Sequence, residues 1–287
     1  MKYNNRLQLF FGALFISAII VWVAFFSSVR GDTSSGLKIY FLNVGQGDAE
    51  YIKLPSGEDI LIDGGPDDKV INELGKVMDF GDRKIDLVVL THPHADHLTG
   101  LVDVINRYEI GEVWDSGVEY PSATYDEFKN DVKTKNIPEV FVKAGDEKSY
   151  ENGNIKFQVL YPLSSEKNKT IDNLNNATVV TSLENNKFSA LFMGDLEKSV
   201  SLKLSKNYTV LKVAHHGSEN GLSEELLKVI RPAIAVIEVG KDNKFGHPTK
   251  TIIDLLKNYA VQIYRTDQNG TVTVSTDGIN YSVKTDK

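Results

Sequence analysis

The segment His92-Pro93-His94-Ala95-Asp96-His97 places three histidines and an aspartate within six residues, directly after the apolar run Ile85–Leu90. In an extended chain, residues two apart point the same way, so His92 and His94 can grip one divalent cation together. If the chain then turns into a helix, Asp96 and His97 face a neighbouring position. Imidazole and carboxylate suit zinc, and also manganese or iron. The sequence has no cysteine, so any metal must be held by His, Asp or Glu. A cation with open coordination positions is catalytic in character, which points to hydrolysis by activated water.

The remaining candidates also stand at the ends of apolar runs. Asp195 follows Phe192-Met193-Gly194. It can bridge two cations at the separation of roughly 3.5–4 Å found in two-metal hydrolases. Alternatively it caps a helix expected over Glu197–Ser205. His215 and His216 close the run Val210–Val213; one can be a ligand and the other a hydrogen-bonding or acid group. His247 lies ahead of a helix with Lys244 and Lys250 nearby, a setting for an anionic substrate or a protonated leaving group. Asp63 and Asp48 can orient a ligand histidine from behind. Asp48 can instead stabilise its glycine turn.

Strands and helices take turns from Leu37 onward. Leu37–Val44 alternates as a strand, and Ala49–Leu54 with Asp59–Asp63 reads as a hairpin. Helices are expected over Lys69–Asp79, from His97 through Arg107, and over Ala123–Lys135, Ser223–Ile230 and Thr249–Asn258. Strands are expected at Ile155–Leu160, Ala177–Leu183, Phe188–Met193, Ala233–Val239, Thr271–Val274 and Asn280–Val283. Ser164–Asn176 is a polar loop of the kind that covers active sites. The mixture fits two sheets packed together with helices outside. The chain has 287 residues, 41% hydrophobic, with ample material for such a core. Its formal net charge of -7 makes it a poor generic polyanion binder, so a nucleic-acid contact needs a local basic patch.

Leu9–Val29 is uncharged and, as a helix, about 30 Å long, enough to span a bilayer. Lys2 and Arg6 precede it, so the positive-inside bias puts the remainder outside the cytoplasm. A cleaved signal peptide, leaving a secreted protein, is the rival reading. The expected organisation is an anchor over residues 1–30, a linker over 31–36 and a hydrolase domain over 37–287.

His92-x-His94-x-Asp96-His97, Asp63-Gly64-Gly65, Gly194-Asp195 and His215-His216-Gly217-Ser218 stand in the order of the metallo-β-lactamase-fold hydrolases. Phe41–Ala49 (FLNVGQGDA), Asn175-Asn176, Leu211–Ser218 (LKVAHHGS) and His247-Pro248-Thr249 resemble the hydrolase domain of ComEC-type competence proteins. The resemblance covers residues 37 to 287 and implies an αββα four-layer sandwich. It implies that His92 and His94 bind a first metal, that Asp96, His97 and one of His215 and His216 bind a second, and that Asp195 bridges. Many relatives supply a further histidine to the first metal. The stretch Leu160–Val180 has none, only Asp172 and the Asn173, Asn175, Asn176 group, so an incomplete first site is expected. Asn176, Lys244 and Lys250 are expected to meet substrate. The expected activity is phosphodiester hydrolysis by metal-activated water, with Asp96 orienting the water and His247 or the spare histidine of the pair, His215 or His216, protonating the leaving oxygen. The alternatives are a small ester (phosphocholine-type, cyclic phosphodiester, lactone or thioester) and a non-catalytic metal- or DNA-binding module for DNA uptake.

Overall fold

In strand β1 (Leu37–Phe41), Leu37, Ile39 and Phe41 are buried while Lys38 and Tyr40 are only partly so, the period-two pattern of a strand with two unlike faces. The chain continues through β2 (Glu50–Lys53), β3 (Asp59–Ile62), helix α1 (Lys69–Val77), β4 (Lys84–Ile85), β5 (Leu87–Leu90), α2 (Ala95–Arg107), β6 (Glu109–Ile110), β7 (Val113–Asp115), α3 (Ala123–Thr134) and β8 (Glu139–Phe141). A second run follows: β9 (Glu147–Tyr150), β10 (Ile155–Tyr161), β11 (Val180–Asn185), β12 (Phe188–Phe192), β13 (Val210–Lys212), α4 (Glu224–Ile230), β14 (Ile234–Ile237), α5 (Lys250–Asn258), β15 (Gln262–Arg265), α6 (Thr266–Asn269), β16 (Val272–Thr276) and β17 (Tyr281–Thr285). This computed structural model describes Phe11, Phe15 and residues 36–287. The chain divides into the units Met1–Ser35 and Gly36–Lys287. In the first, Phe11 and Phe15 are helical and exposed. The expected span Leu9–Val29 otherwise lies outside the described residues, and among those described no helix is long and apolar enough to cross a membrane.

The strands form an eight-stranded sheet, ordered β17-β16-β1-β2-β3-β5-β7-β8, and a seven-stranded sheet, ordered β15-β14-β13-β12-β11-β10-β9. Each is half antiparallel and half parallel: β3, β5, β7 and β8 run parallel in the first, β12 to β15 in the second. The inner faces meet in one core. Phe41 lies against Phe192, with ring centroids 6.2 Å apart, and Trp114 against Phe157 at 5.8 Å. Helices α1, α2 and α3 cover the outer face of the first sheet, while α4 and α5 cover that of the second. Strands β3, β5 and β14, clad on both sides, are buried at every position. The expected αββα layering is present.

One expected element is absent. Glu197–Ser205 forms turns and extended chain instead of a helix. Val200, Leu202 and Leu204 are partly buried against the outer core of the second sheet, while Ser201, Lys203 and Ser205 face out. That is a period of two, and it leaves Asp195 with no helix to cap.

Helix α2 is seated by a close backbone approach. A Cβ on Gly100 would lie 2.0 Å from the carbonyl oxygen of Gly64. Alanine ordinarily favours a helix interior over glycine by about 1 kcal/mol. Here the clash is with backbone and costs about 1–3 kcal/mol or more. Gly100→Ala should therefore lower the urea midpoint; a midpoint at or above the wild type would contradict this packing.

Candidate metal centre

The site lies where the parallel strands end, the crevice in which open α/β sheets bind ligands. Asp63 follows β3 and Thr91–His97 follow β5; Asp195 follows β12, and His215 with His216 follow β13. Asp63 (φ 56°), His215 (φ 52°) and His216 (φ 52°) all adopt left-handed backbone. Such residues cost of order 1–3 kcal/mol each and collect at functional sites. The turn after β13 swings both imidazoles toward the first sheet. Gly194 (φ 49°) is required for another reason: a Cβ there would lie 2.2 Å from Thr178 Oγ1. Only glycine lets Asp195 come this close.

Hydrogen bonds from the far side fix the tautomer of each ring, since carboxylate and carbonyl oxygens only accept. His97 Nδ1 donates to Asp63 Oδ2 at 2.7 Å. Thr91 Oγ1 donates to the same oxygen at 2.6 Å, and so accepts from His92 Nδ1 at 3.1 Å. His216 Nδ1 donates to the carbonyl oxygen of Glu238 at 2.9 Å. All three rings thus turn Nε2 toward Asp195, whose Oδ2 lies 4.0 Å from His92 Nε2, 3.4 Å from His97 Nε2 and 3.9 Å from His216 Nε2. Asp96 Oδ2 is 3.3 Å from His216 Nε2, and His94 Nδ1 is 2.9 Å from His92 Nε2.

His215 is keyed the other way. Asn175 Nδ2 donates to Glu197 Oε1 at 3.5 Å and to His215 Nδ1 at 3.3 Å. The carboxylate fixes which end of the amide carries hydrogens, so His215 Nδ1 accepts and Nε2 holds the proton. That N–H faces the cleft, with Nε2 3.9 Å from Asp195 Oδ2.

Buried charges underlie these rings. Lys212 is fully buried and donates to Asp48 and to the Gly194 carbonyl at 3.2 Å. Burial alone would depress His216, but Asp195 and Asp48 outweigh it and raise its pKa to about 10. Burial likewise opposes the charge on His97, and Asp195, Asp63 and Asp48 hold it well above the ordinary histidine value. Burial opposes the charge on Asp195, which His97 and His216 nevertheless pull well below the carboxylate range. Burial and the neighbouring His97 keep His92 neutral.

A profile of the Metallo-beta-lactamase superfamily matches residues 42–240. The chain belongs to this superfamily. It is similar to ComE operon protein 3 of Bacillus subtilis, 26% identical over 266 residues, covering 83% of this chain and 33% of that protein. It is also similar to Competence protein ComA of Neisseria gonorrhoeae, 26% identical over 198 residues, covering 66% of this chain and 25% of the relative. The chain thus spans a quarter to a third of the length of these curated relatives. Among solved structures it resembles the metallo-beta-lactamase fold protein YhfI of Bacillus subtilis, with TM-score 0.56 and 10% identity, covering 84% of this chain and all of that one.

The superfamily's fold implies divalent metals, and the residues present fit them. His92, His97 and Asp195 bring donor atoms within 4.8 Å of one another, as do Asp96, His97 and His216. His97 Nε2 and Asp195 Oδ1 are buried with no hydrogen-bond partner among the described residues. Beside them a cleft of about 230 Å³ is lined by His94, Asp96, Asp195, His215, His216 and His247, with Gln46, Asn175 and Phe245.

Of the residues singled out in the sequence, Asp48 touches both His97 and His216, with Oδ2 3.6 Å from His97 Nδ1 and Oδ1 3.2 Å from His216 Nδ1. Asn176 lies off the cleft, its Oδ1 accepting from Glu197 N at 3.4 Å, and the cleft-lining asparagine is Asn175. Lys250 pairs with Asp254, and neither it nor Lys244 lines the cleft. Sequence reasoning missed Lys212, Glu50 and Glu238, all buried beneath the histidines. Their signal was a charge inside an apolar run, as in Leu211-Lys212-Val213 and Ile237-Glu238-Val239.

Two outcomes test this geometry. Asp63→Asn, with its amide nitrogen in place of Oδ2, leaves two of three donors, His97 Nδ1 and Thr91 Oγ1, without their acceptor and frees the His97 ring. Metal affinity, read by competition with a chromogenic chelator, should fall about 10- to 100-fold, whereas Asp67→Asn should leave it unchanged. The stability of chelator-treated protein should also fall as pH rises. His216 is raised to about 10 when folded, against about 6.5 unfolded. Its contribution is complete below the lower value and lost as pH climbs through the higher. A level urea midpoint across that window would contradict the charge assignment.

Proposed function

We propose that residues 37–287 are a metal-dependent phosphodiesterase acting on nucleic acid outside the membrane, with residues 1–30 as a single-pass anchor and 31–36 as linker. The observation that carries this reading is the opposed keying of adjacent histidines. His92, His97 and His216 direct Nε2 around Asp195, where a cation would displace the protons of His97 and His216, while His215 offers an N–H across the same cleft. The likeness to a competence protein supports a nucleic-acid substrate.

Divalent cations, zinc in this reading with manganese or iron as alternatives, would supply Lewis acidity and acidify water. His92 and His94 would hold one, and Asp96, His97 and His216 the other. Asp195 faces both groups, so its carboxylate would serve both positions. Asp96 faces the cleft and orients the attacking water. His215 Nε2–H faces the cleft and gives a hydrogen bond to a phosphoryl oxygen as charge builds there. The proton for the leaving oxygen comes from His247. Burial and the nearby His215 and His216 keep its pKa below the ordinary value. A phosphate beside it offsets this, and the imidazolium then releases its proton readily.

A second reading, hydrolysis of a small phosphodiester or other small ester, is favoured by the cleft volume of about 230 Å³, below the roughly 300–1,000 Å³ common for ligand pockets.

The full chain, loaded with zinc or manganese, should cleave bis-p-nitrophenyl phosphate and single-stranded DNA. Asp195→Ala should lower kcat/KM on both by about 100-fold or more. His247→Ala should slow DNA cleavage, whose alkoxide leaving group needs a proton, far more than release of weakly basic p-nitrophenolate. Activity surviving chelation or Asp195→Ala would overturn the hydrolase reading. Tight DNA binding without turnover of any ester would favour a binding module, and turnover of the small ester alone would favour the second reading.

A further inference from the structure

Phe245 is 57% exposed, yet it lines the cleft beside Asp195 and His215. It contributes nothing to the described cores. Its ring stacks on His247 with centroids 5.9 Å apart and planes at 26°. His247 in turn meets His215 edge-on at 5.7 Å. A row of three rings therefore leads from the surface to the catalytic cleft.

The loop that carries Phe245 is fixed. Asn243 Oδ1 accepts from Phe245 N at 3.2 Å and from His247 N at 3.0 Å. Its Nδ2 donates to the carbonyls of Gly240, at 3.1 Å, and His247, at 2.7 Å. Gly240 N donates to Gln46 Oε1 at 3.1 Å, which ties the loop to the opposite wall of the cleft. One asparagine side chain thus sets the aromatic in place before any ligand arrives. The Lys244 ammonium stands 5.6 Å from the Phe245 ring centroid, within reach of a phosphate attached to whatever stacks there.

We propose that Phe245 is a stacking platform for one unpaired nucleobase of a single-stranded substrate, holding the adjoining phosphodiester at the metal centre. This rests on the phosphodiesterase reading and narrows its substrate. A chain with net charge -7 draws little affinity from bulk electrostatics. An aromatic face supplies affinity that tolerates any base, because every base has a π-face. A base inside a duplex must first be unstacked at a cost of a few kcal/mol, so the platform favours single strands.

The test uses the full chain with manganese, a fluorescein-labelled single-stranded oligonucleotide of mixed sequence, the same strand with abasic spacers, and a blunt duplex. Dissociation constants are read by fluorescence anisotropy in the Asp195→Asn background. Phe245→Ala should weaken binding of the base-bearing strand about 5- to 150-fold, and Phe245→Trp should preserve it. The abasic strand and the duplex should bind the parent protein weakly and be little affected by Phe245→Ala. Equal affinity of Phe245→Ala and parent for the base-bearing strand, or an equal loss on the abasic strand, overturns the platform. Hydrolysis is scored separately in the wild-type chain. If bis-p-nitrophenyl phosphate is cleaved but Phe245→Ala binds normally, the platform alone fails. If no phosphodiester is cleaved, the hydrolase reading fails whatever the anisotropy shows.

Discussion

The Asp63 carboxylate accepts from His97 Nδ1, Thr91 Oγ1 and Thr91 N, and the orientation of the His97 and His92 rings depends on those three bonds. Through His97 it acts directly. Through Thr91 it acts at one remove, because a hydroxyl that has given its hydrogen to Asp63 can only accept from His92. Burying a carboxylate is costly unless its lone pairs are met, and three donors meet them here. Asp63 reaches them because β3 ends in a left-handed residue beside the start of α2, where Gly64 and Gly100 let the backbones touch.

The charges beneath the site largely compensate one another. Glu238 is raised to about 8 by burial and by Asp48, and Glu50 is held well above the usual carboxylate range by burial and by Glu238. Both are therefore neutral acids near pH 7. What remains is Asp48, Asp63, Asp96 and Asp195 on one side and Lys212, protonated His97 and protonated His216 on the other, four against three. A divalent cation held by His97 and His216 would take the place of their Nε2 protons, so metal uptake should release protons.

Much of the centre was legible because its chemistry is local in sequence. His92 through His97 are contiguous, and the switch from an apolar strand to a helix can be read from the same stretch, though the helix begins at Ala95 and not after His97. The hairpin of β2 and β3 and the helices over α1 to α5 followed from periodicity in the same way. The opposite orientation of the His215 and His216 rings was not legible, because it is set by Asn175 and by the carbonyl of Glu238, both distant in sequence. The segment after Asp195 was misread as a helix because its helix-forming residues outweighed the alternation of Val200, Leu202 and Leu204. Short strands such as β4, β6 and β9 depend on pairing partners and leave little periodic trace.

Strand β1 has β2 on one side and β16, from the far end of the chain, on the other. During synthesis, a chain made as far as β8 already holds Asp63 and the His92–His97 run, but neither Asp195 nor His216. Its first sheet also keeps an open edge until the last hairpin arrives, and such edges invite pairing with other chains. The centre is thus assembled late, from contacts of long sequence separation that form slowly. A cation held between Asp195, His216 and the His92–His97 run would report that the two sheets have met, and a chain interrupted before the second sheet carries the most conspicuous motif of the sequence without the means to use it.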